Sequence, residues 1–424
     1  VDVVSILGVA ETDAVFSFDA DWGNAAYWAP FTYDYVTSND RERRTLSQEL
    51  RVLSKPGAIA AGRGDWLVGA YLLDIDEGND QRTVGIYRDP FCGSACSLDA
   101  DIAVRSDYDA TNSAVFGQVG FALNDRLGLT AGLRWERRSA DYGDSNGNAF
   151  SPDDEMIGGE LAFAWQLGER RAAYLRFARG YKAGGFNVSL AGVDFSTVDN
   201  VNLSPSNIEF DAESLTSIEA GLRASSADGR WRADVGAFVA RRDDQQVKVP
   251  LQLRLGDPSS FLFVTANSES GAHHGIEATV DWRATQRLEL TAAVGWLRAE
   301  IDEFALFPEL AGREQAHAPG YTYSLAATYT VPSGWWARLD LNGMDEFFFD
   351  YGHDQASEPY GLANLSVGRD WDAWSVKLWA RNVFDEDHFV RGFYFGNEPP
   401  DFPATLYTRL GDPRHYGITL KLRL

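Results

Sequence analysis

Trp374-Ser-Val-Lys-Leu-Trp-Ala-Arg-Asn-Val-Phe-Asp385 runs into a long aromatic connection, and the chain then ends on Pro413-Arg-His-Tyr-Gly-Ile-Thr-Leu-Lys-Leu-Arg-Leu424. In the closing run, Tyr416, Ile418, Leu420, Leu422 and Leu424 alternate with Gly417, Thr419, Lys421 and Arg423. A period of two is a strand whose two faces meet unlike environments. The alternation continues to the last residue with no polar tail. A strand sealed into a closed barrel wall accounts for that ending better than a fraying terminus does.

The same pattern recurs upstream. Leu127, Leu129, Ala131, Leu133 and Trp135 oppose Thr130, Arg134 and Glu136. Ile276, Ala278, Val280 and Trp282 oppose Glu277, Thr279, Asp281 and Arg283. One face suits lipid; the other, with Glu49, Arg51, Glu219, Arg223 and Lys421 as well, needs water or a polar filling. Short connections at 124–126, 168–170, 226–229, 284–286, 332–334 and 370–372, with a slightly longer one at 55–65, alternate with long polar ones. The long ones fall at about 12–40, 77–107, 140–154, 183–210, 243–260, 303–319, 349–359 and 385–412. Outer-membrane barrels sort their loops by length in this way, and a soluble sandwich has no reason to. Trp residues gather near strand ends, most of them toward the short turns, as an interfacial girdle requires. The count gives about sixteen antiparallel strands, an even number, with no capped helix. The fold class is all-β, a transmembrane antiparallel β-barrel.

Composition narrows the function classes. The chain has 424 residues and a formal charge of −24, which would repel phosphate and excludes a nucleic-acid partner. No run of 18 apolar residues exists, so no helix spans a membrane; a barrel carries a different signal. The chain opens on Val1 without a signal peptide and reads as a mature fragment. Cys92 and Cys96, four residues apart in a Gly/Ser turn, read as a small disulfide loop in an oxidising compartment.

The C-terminal stretch also resembles TonB-dependent outer-membrane receptors. Arg381-Asn-Val-Phe-Asp-Glu386 is similar to their R-N-L-F-D-E motif, and Pro413-Arg-His-Tyr-Gly417 to their P-R-x-Y-G entry to the closing strand. Thr45-Leu-Ser-Gln-Glu-Leu-Arg51 and Asp65-Trp-Leu-Val-Gly-Ala-Tyr71 resemble two of their early strands. Arg176-Phe-Ala-Arg-Gly-Tyr-Lys-Ala-Gly-Gly-Phe-Asn187 is close to a stretch of receptors for iron complexes. The resemblance covers most of the chain. It implies that residues 1–424 are the barrel portion of such a receptor, part of a 22-stranded barrel and without its plug. It further implies an outer-membrane location in a Gram-negative bacterium, with lipid and lipopolysaccharide around the wall. The ligand would be scarce and small, a ferric siderophore or similar iron complex. Energy would come from the TonB complex acting through a plug and coupling box that this chain lacks.

No catalytic constellation emerges. The six histidines are scattered, none beside a nucleophile in a known motif, so the chain is read as a non-enzyme without a cofactor or bound metal. Candidate ligand contacts are Lys182, Phe186 and Asn187 at the start of one long loop, and Phe393, Tyr394 and Phe395 in the last one. The glycines between Lys182 and Phe186 serve equally to bend the chain out of the wall. The alternatives are a passive porin of about sixteen strands and a secreted all-β binding module.

Overall fold

The computed structural model describes residues 1–92, 97–198, 203–254 and 256–422. Sixteen long strands make one antiparallel wall: β1 (Asp2–Asp19), β2 (Thr32–Leu53), β3 (Gly64–Arg88), β4 (Ser97–Ala122), β5 (Leu127–Asp144), β6 (Asp153–Gly168), β7 (Arg171–Lys182) and β8 (Glu213–Ser225) in the first half. The second half is β9 (Trp231–Gln252), β10 (Phe261–Arg283), β11 (Leu288–Glu303), β12 (Tyr321–Thr330), β13 (Trp335–Met344), β14 (Tyr360–Asp370), β15 (Trp374–Arg381) and β16 (His415–Leu422). Each strand pairs with its neighbours in sequence, from β1 with β2 to β15 with β16. Among the described residues, no register joins β16 to β1.

The two-residue period places the apolar set outside. Val239, Ile276, Leu378 and Leu420 are 54%, 50%, 53% and 66% exposed, which in water would be an aggregating surface and in a bilayer is the lipid contact. Trp165, Trp231, Trp282, Trp335 and Trp374 are exposed on this face at the short-turn ends, where an aromatic girdle belongs. Trp135 instead lies midway along β5, and Trp336 turns inward over Gly368. The inner face pairs its own charges. Glu136 accepts from Asn112 (2.8 Å), Arg134 (2.7 Å) and Tyr181 (2.7 Å), and Arg223 meets Asp234 at 2.6 Å.

Antiparallel order puts every short connection at one end and every long one at the other. The strands, however, climb further than their composition suggests. The polar stretches 77–88 and 97–107 and most of 12–40 are strand rather than loop. β2, β3 and β4 are 22, 25 and 26 residues long, where roughly 9–11 residues cross a bilayer. Along these tall hairpins the ladder is flanked by cross-strand ion pairs, Arg41–Glu77 at 2.6 Å, Arg82–Asp101 at 2.7 Å and Arg105–Asp80 at 2.7 Å. A polar run is therefore a poor loop marker where water covers both faces.

The buried apolar clusters sit at the long-loop end. One gathers Val247, Val249, Ala266, Ile301, Phe304, Phe307 and Leu310; a second Trp28, Tyr33, Tyr35, Tyr87, Ala100 and Phe402; a third Tyr142, Leu190, Leu203, Ile208, Leu253 and Val264. At that end the long loops pack on one another and on the strand ends. Of the expected Cys92–Cys96 pair, Cys96 lies outside the described residues, as do Arg423 and Leu424.

Candidate functional site at the mouth of the wall

The last long connection folds into a hairpin, Phe389–Phe395 against Thr405–Leu410. Its register sets Arg391 opposite Arg409 and Phe393 opposite Tyr407. Alternate residues share a face, so Arg391, Phe393 and Phe395 point the same way. With Gly392 and Tyr394 between them, they line one side of a cavity of about 590 Å³. Trp22, from the β1–β2 connection, stacks on Phe395 at 4.4 Å and meets Phe393 and Tyr407 edge-on at 5.6 and 5.4 Å. The far side is built by Lys248 on β9, Phe263 on β10, His317, and Phe349 with Tyr351. Phe349 lies flat against Gly392; a Cβ there would sit 2.5 Å from its ring, so only glycine lets the loop close on the hairpin.

The charge of this cavity runs against that of the chain. Lys248, Arg391 and Arg409 line it with a single carboxylate, Asp350. Asp350 is engaged, accepting from the amides of Gly352 and His353 and bonding the His353 ring at 2.8 Å. Among the described residues, neither Arg391 nor Arg409 has an ion-pair partner. Like charges set side by side on paired strands repel, and a bound anion relieves that repulsion. Burial pushes the phenols of Tyr394 and Tyr407 up to about 12. At neutral pH they are hydrogen-bond donors and apolar plates, not phenolate ligands.

Burial, with the Arg391 guanidinium nearby, holds the His317 imidazole below its ordinary value. The free chain therefore binds a proton before the folded mouth does. This contribution to loop stability is complete above about pH 6.5 and is lost as pH falls toward the lowered folded value. Protection from hydrogen exchange in residues 345–351, taken relative to the intrinsic rate at each pH, should fall on acidification through that window, and His317→Gln should flatten the dependence.

The six residues singled out in the sequence separate into two places. Phe393, Tyr394 and Phe395 line the cavity, Tyr394 stacked on the His353 ring at 3.5 Å. Lys182, Phe186 and Asn187 do not line it. Lys182 ends β7, exposed, opposite Glu213. Phe186 stacks on Tyr142 at 4.7 Å. Asn187 is buried and fully used: its amide donates to the carbonyls of Asn207 (2.9 Å) and Thr265 (2.7 Å), and its oxygen accepts from the Thr265 amide (2.8 Å). It pins the 183–212 loop to β10. Asn187→Ala strands those partners and should destabilise the loop by about 1–3 kcal/mol, read as faster amide exchange across 187–208. Trp22, Lys248, His317, Arg391 and Arg409 were not singled out. Arg391 and Arg409 lie in the same hairpin as the aromatic residues; Trp22, Lys248 and His317 come from distant parts of the chain with no local signal.

A wall of alternating faces, with its short turns at one end and its long loops packed together at the other, has the build of an outer-membrane β-barrel wall. The family model described as TonB dependent receptor-like, beta-barrel matches residues 8–383, and the chain belongs to that family. It is 24% identical over 309 residues to the pesticin receptor of Yersinia pestis, covering 68% of this chain and 41% of that protein. It is 21% identical over 373 residues to the rhizobactin receptor of Rhizobium meliloti (strain 1021), covering 81% and 48%. The chain thus spans about half the length of the curated relatives it matches. Among solved structures, the ferric yersiniabactin uptake receptor FyuA from Yersinia pestis superposes with a TM-score of 0.66 at 19% identity, covering 92% of this chain and 58% of that one. The copper transporter OprC gives 0.69 at 14%, covering 99% and 62%. At such identities the likeness is one of fold.

Proposed function

We propose that this chain is the barrel portion of a receptor that takes up a ferric siderophore or similar iron complex across the outer membrane of a Gram-negative bacterium, energised by TonB. The observation that carries the reading is the mouth cavity: aromatic plates beside two arginines with no ion-pair partner among the described residues, in a chain of net charge −24. An anionic chelate with aryl groups meets both needs, through charge-assisted hydrogen bonds and stacking. The relatives whose names state a siderophore-type ligand support it. Packing of the long loops on one another at that end speaks against a passive pore. The test is uptake of radioactive iron, presented as anionic aryl chelates, by iron-starved cells with and without the complete gene. Uptake that needs both the gene and the proton-motive force is the expected result. Gene-dependent entry of neutral sugars without energy would replace this reading with a porin.

A further inference from the structure

The terminal hairpin is held at its tip by a polar latch that the cavity does not contain. Asn397, wholly buried, donates through Nδ2 to the backbone carbonyl of Asp21 and accepts through Oδ1 from the Tyr33 hydroxyl at 2.6 Å. These contacts join residues more than 360 apart in sequence. The Asp21 carboxylate is fixed in turn: Oδ1 accepts from Trp28 Nε1 and Oδ2 from the Tyr35 amide, both at 2.9 Å. Phe402, also wholly buried, sets its ring edge-on to Tyr33 and Tyr87 at 5.4 and 5.1 Å.

We propose that Asn397, Asp21 and Tyr33 are positioning residues for the mouth: their latch sets the hairpin's pose and thereby the affinity of the cavity, without touching a ligand. The inference rests on the reading of the cavity as the ligand site. Arg391 and Phe395 lie on the strand that leads into Asn397, so a tilt at the tip is carried along the hairpin to both. A two-stranded hairpin has little rigidity of its own, and its direction is set by what grips its ends. The latch is also finely balanced. Tyr35 OH, Tyr87 OH and Gln252 Oε1 are buried beside it with no hydrogen-bond partner among the described residues, and Gln252 Oε1 presses on Gly396. Raising the hairpin would hydrate all three, which offsets part of what the latch contributes. A ligand bridging Arg391 and Arg409 to Lys248 across the cavity then favours the closed pose, and loss of the latch lowers apparent affinity by the fraction of closed molecules lost.

The test uses the complete protein in detergent, with ferric tris(2,3-dihydroxybenzoate) as probe. Spin labels at A404C on the hairpin and E309C on the β11–β12 connection report the pose. The unsubstituted latch should give one narrow distance distribution. Asn397→Ala should broaden it, with the probe restoring part of the narrow component, and should weaken probe binding about tenfold, while Tyr33→Phe should do so more mildly. Heat-modifiable mobility checks that the wall is folded. If Asn397→Ala does not assemble, Tyr33→Phe, which removes one oxygen, carries the test. An unchanged distribution, or a broadened one with unchanged probe binding, overturns the positioning role. The two readings fail separately: full binding by an Arg391→Ala/Arg409→Ala variant, or no binding by the parent, counts against the cavity itself.

Discussion

Leu420→Arg prevents most of the protein from assembling, while Thr419→Arg, one residue away, leaves assembly near the parental level. This is the expected result of heat-modifiable mobility on cold gels, which separates folded barrels from unfolded chain. Leu420 is 66% exposed on the outer face of β16, opposite Val376, beyond the reach of water once the wall is in a bilayer. An arginine on the lipid face costs roughly 2–4 kcal/mol at the midplane and less toward the interface. Leu420 lies two residues inward of Leu422, the partner of the girdle residue Trp374, and on the closing strand, where a failed pairing leaves an open edge. Thr419 faces the other way. Its hydroxyl accepts from Trp379 Nε1 at 3.2 Å, and it lines an interior recess of about 450 Å³ with Asp340, Asn342 and Lys377. A guanidinium there stays hydrated beside a carboxylate. Equal folded fractions for the two variants would mean that the faces are assigned wrongly, and the membrane reading would lose its physical basis.

Arg391→Ala combined with Arg409→Ala weakens binding of an anionic ferric aryl chelate by about a hundredfold, with the folded fraction unchanged. Hydrogen bonds to charged groups contribute about 1.5–3 kcal/mol each, and both side chains are exposed, so the lower end applies. Titration by quenching of Trp fluorescence reads the loss, since Trp22 stacks within the site. Arg391→Lys with Arg409→Lys should recover only part of the affinity, because an ammonium keeps the charge without the planar fork. Binding that is indifferent to both arginines would move the ligand elsewhere in the mouth.

The wall was almost wholly legible in the chain. Each strand carries its own alternation, and that pattern states which face meets lipid before any partner is known. Ile276 to Trp282 could be assigned outward with no knowledge of β9 or β11. The sorted loop lengths then fixed which end is which, because antiparallel neighbours leave no other arrangement. Height above the membrane was not legible. The polar stretches 77–88, 97–107 and 32–40 look like loop, and they become strand by pairing along the ladder, with Arg41 beside Glu77 and Arg82 beside Asp101.

The mouth divides along the same line. Phe393 and Phe395 could be picked from the sequence because exposed aromatics need a partner, and Arg391 shares their period. Lys182, Phe186 and Asn187 looked equivalent and are not. Asn187 spends its hydrogen bonds on Thr265 and Asn207, and Phe186 packs on Tyr142. Local pattern establishes the wall strand by strand, since each lipid-facing side chain answers to solvent rather than to a particular neighbour. The cavity and its latch depend on which loop lies against which. Trp22, Lys248, Asn397 and Phe402 acquire their roles from contacts hundreds of residues apart, and no periodicity within a loop encodes those.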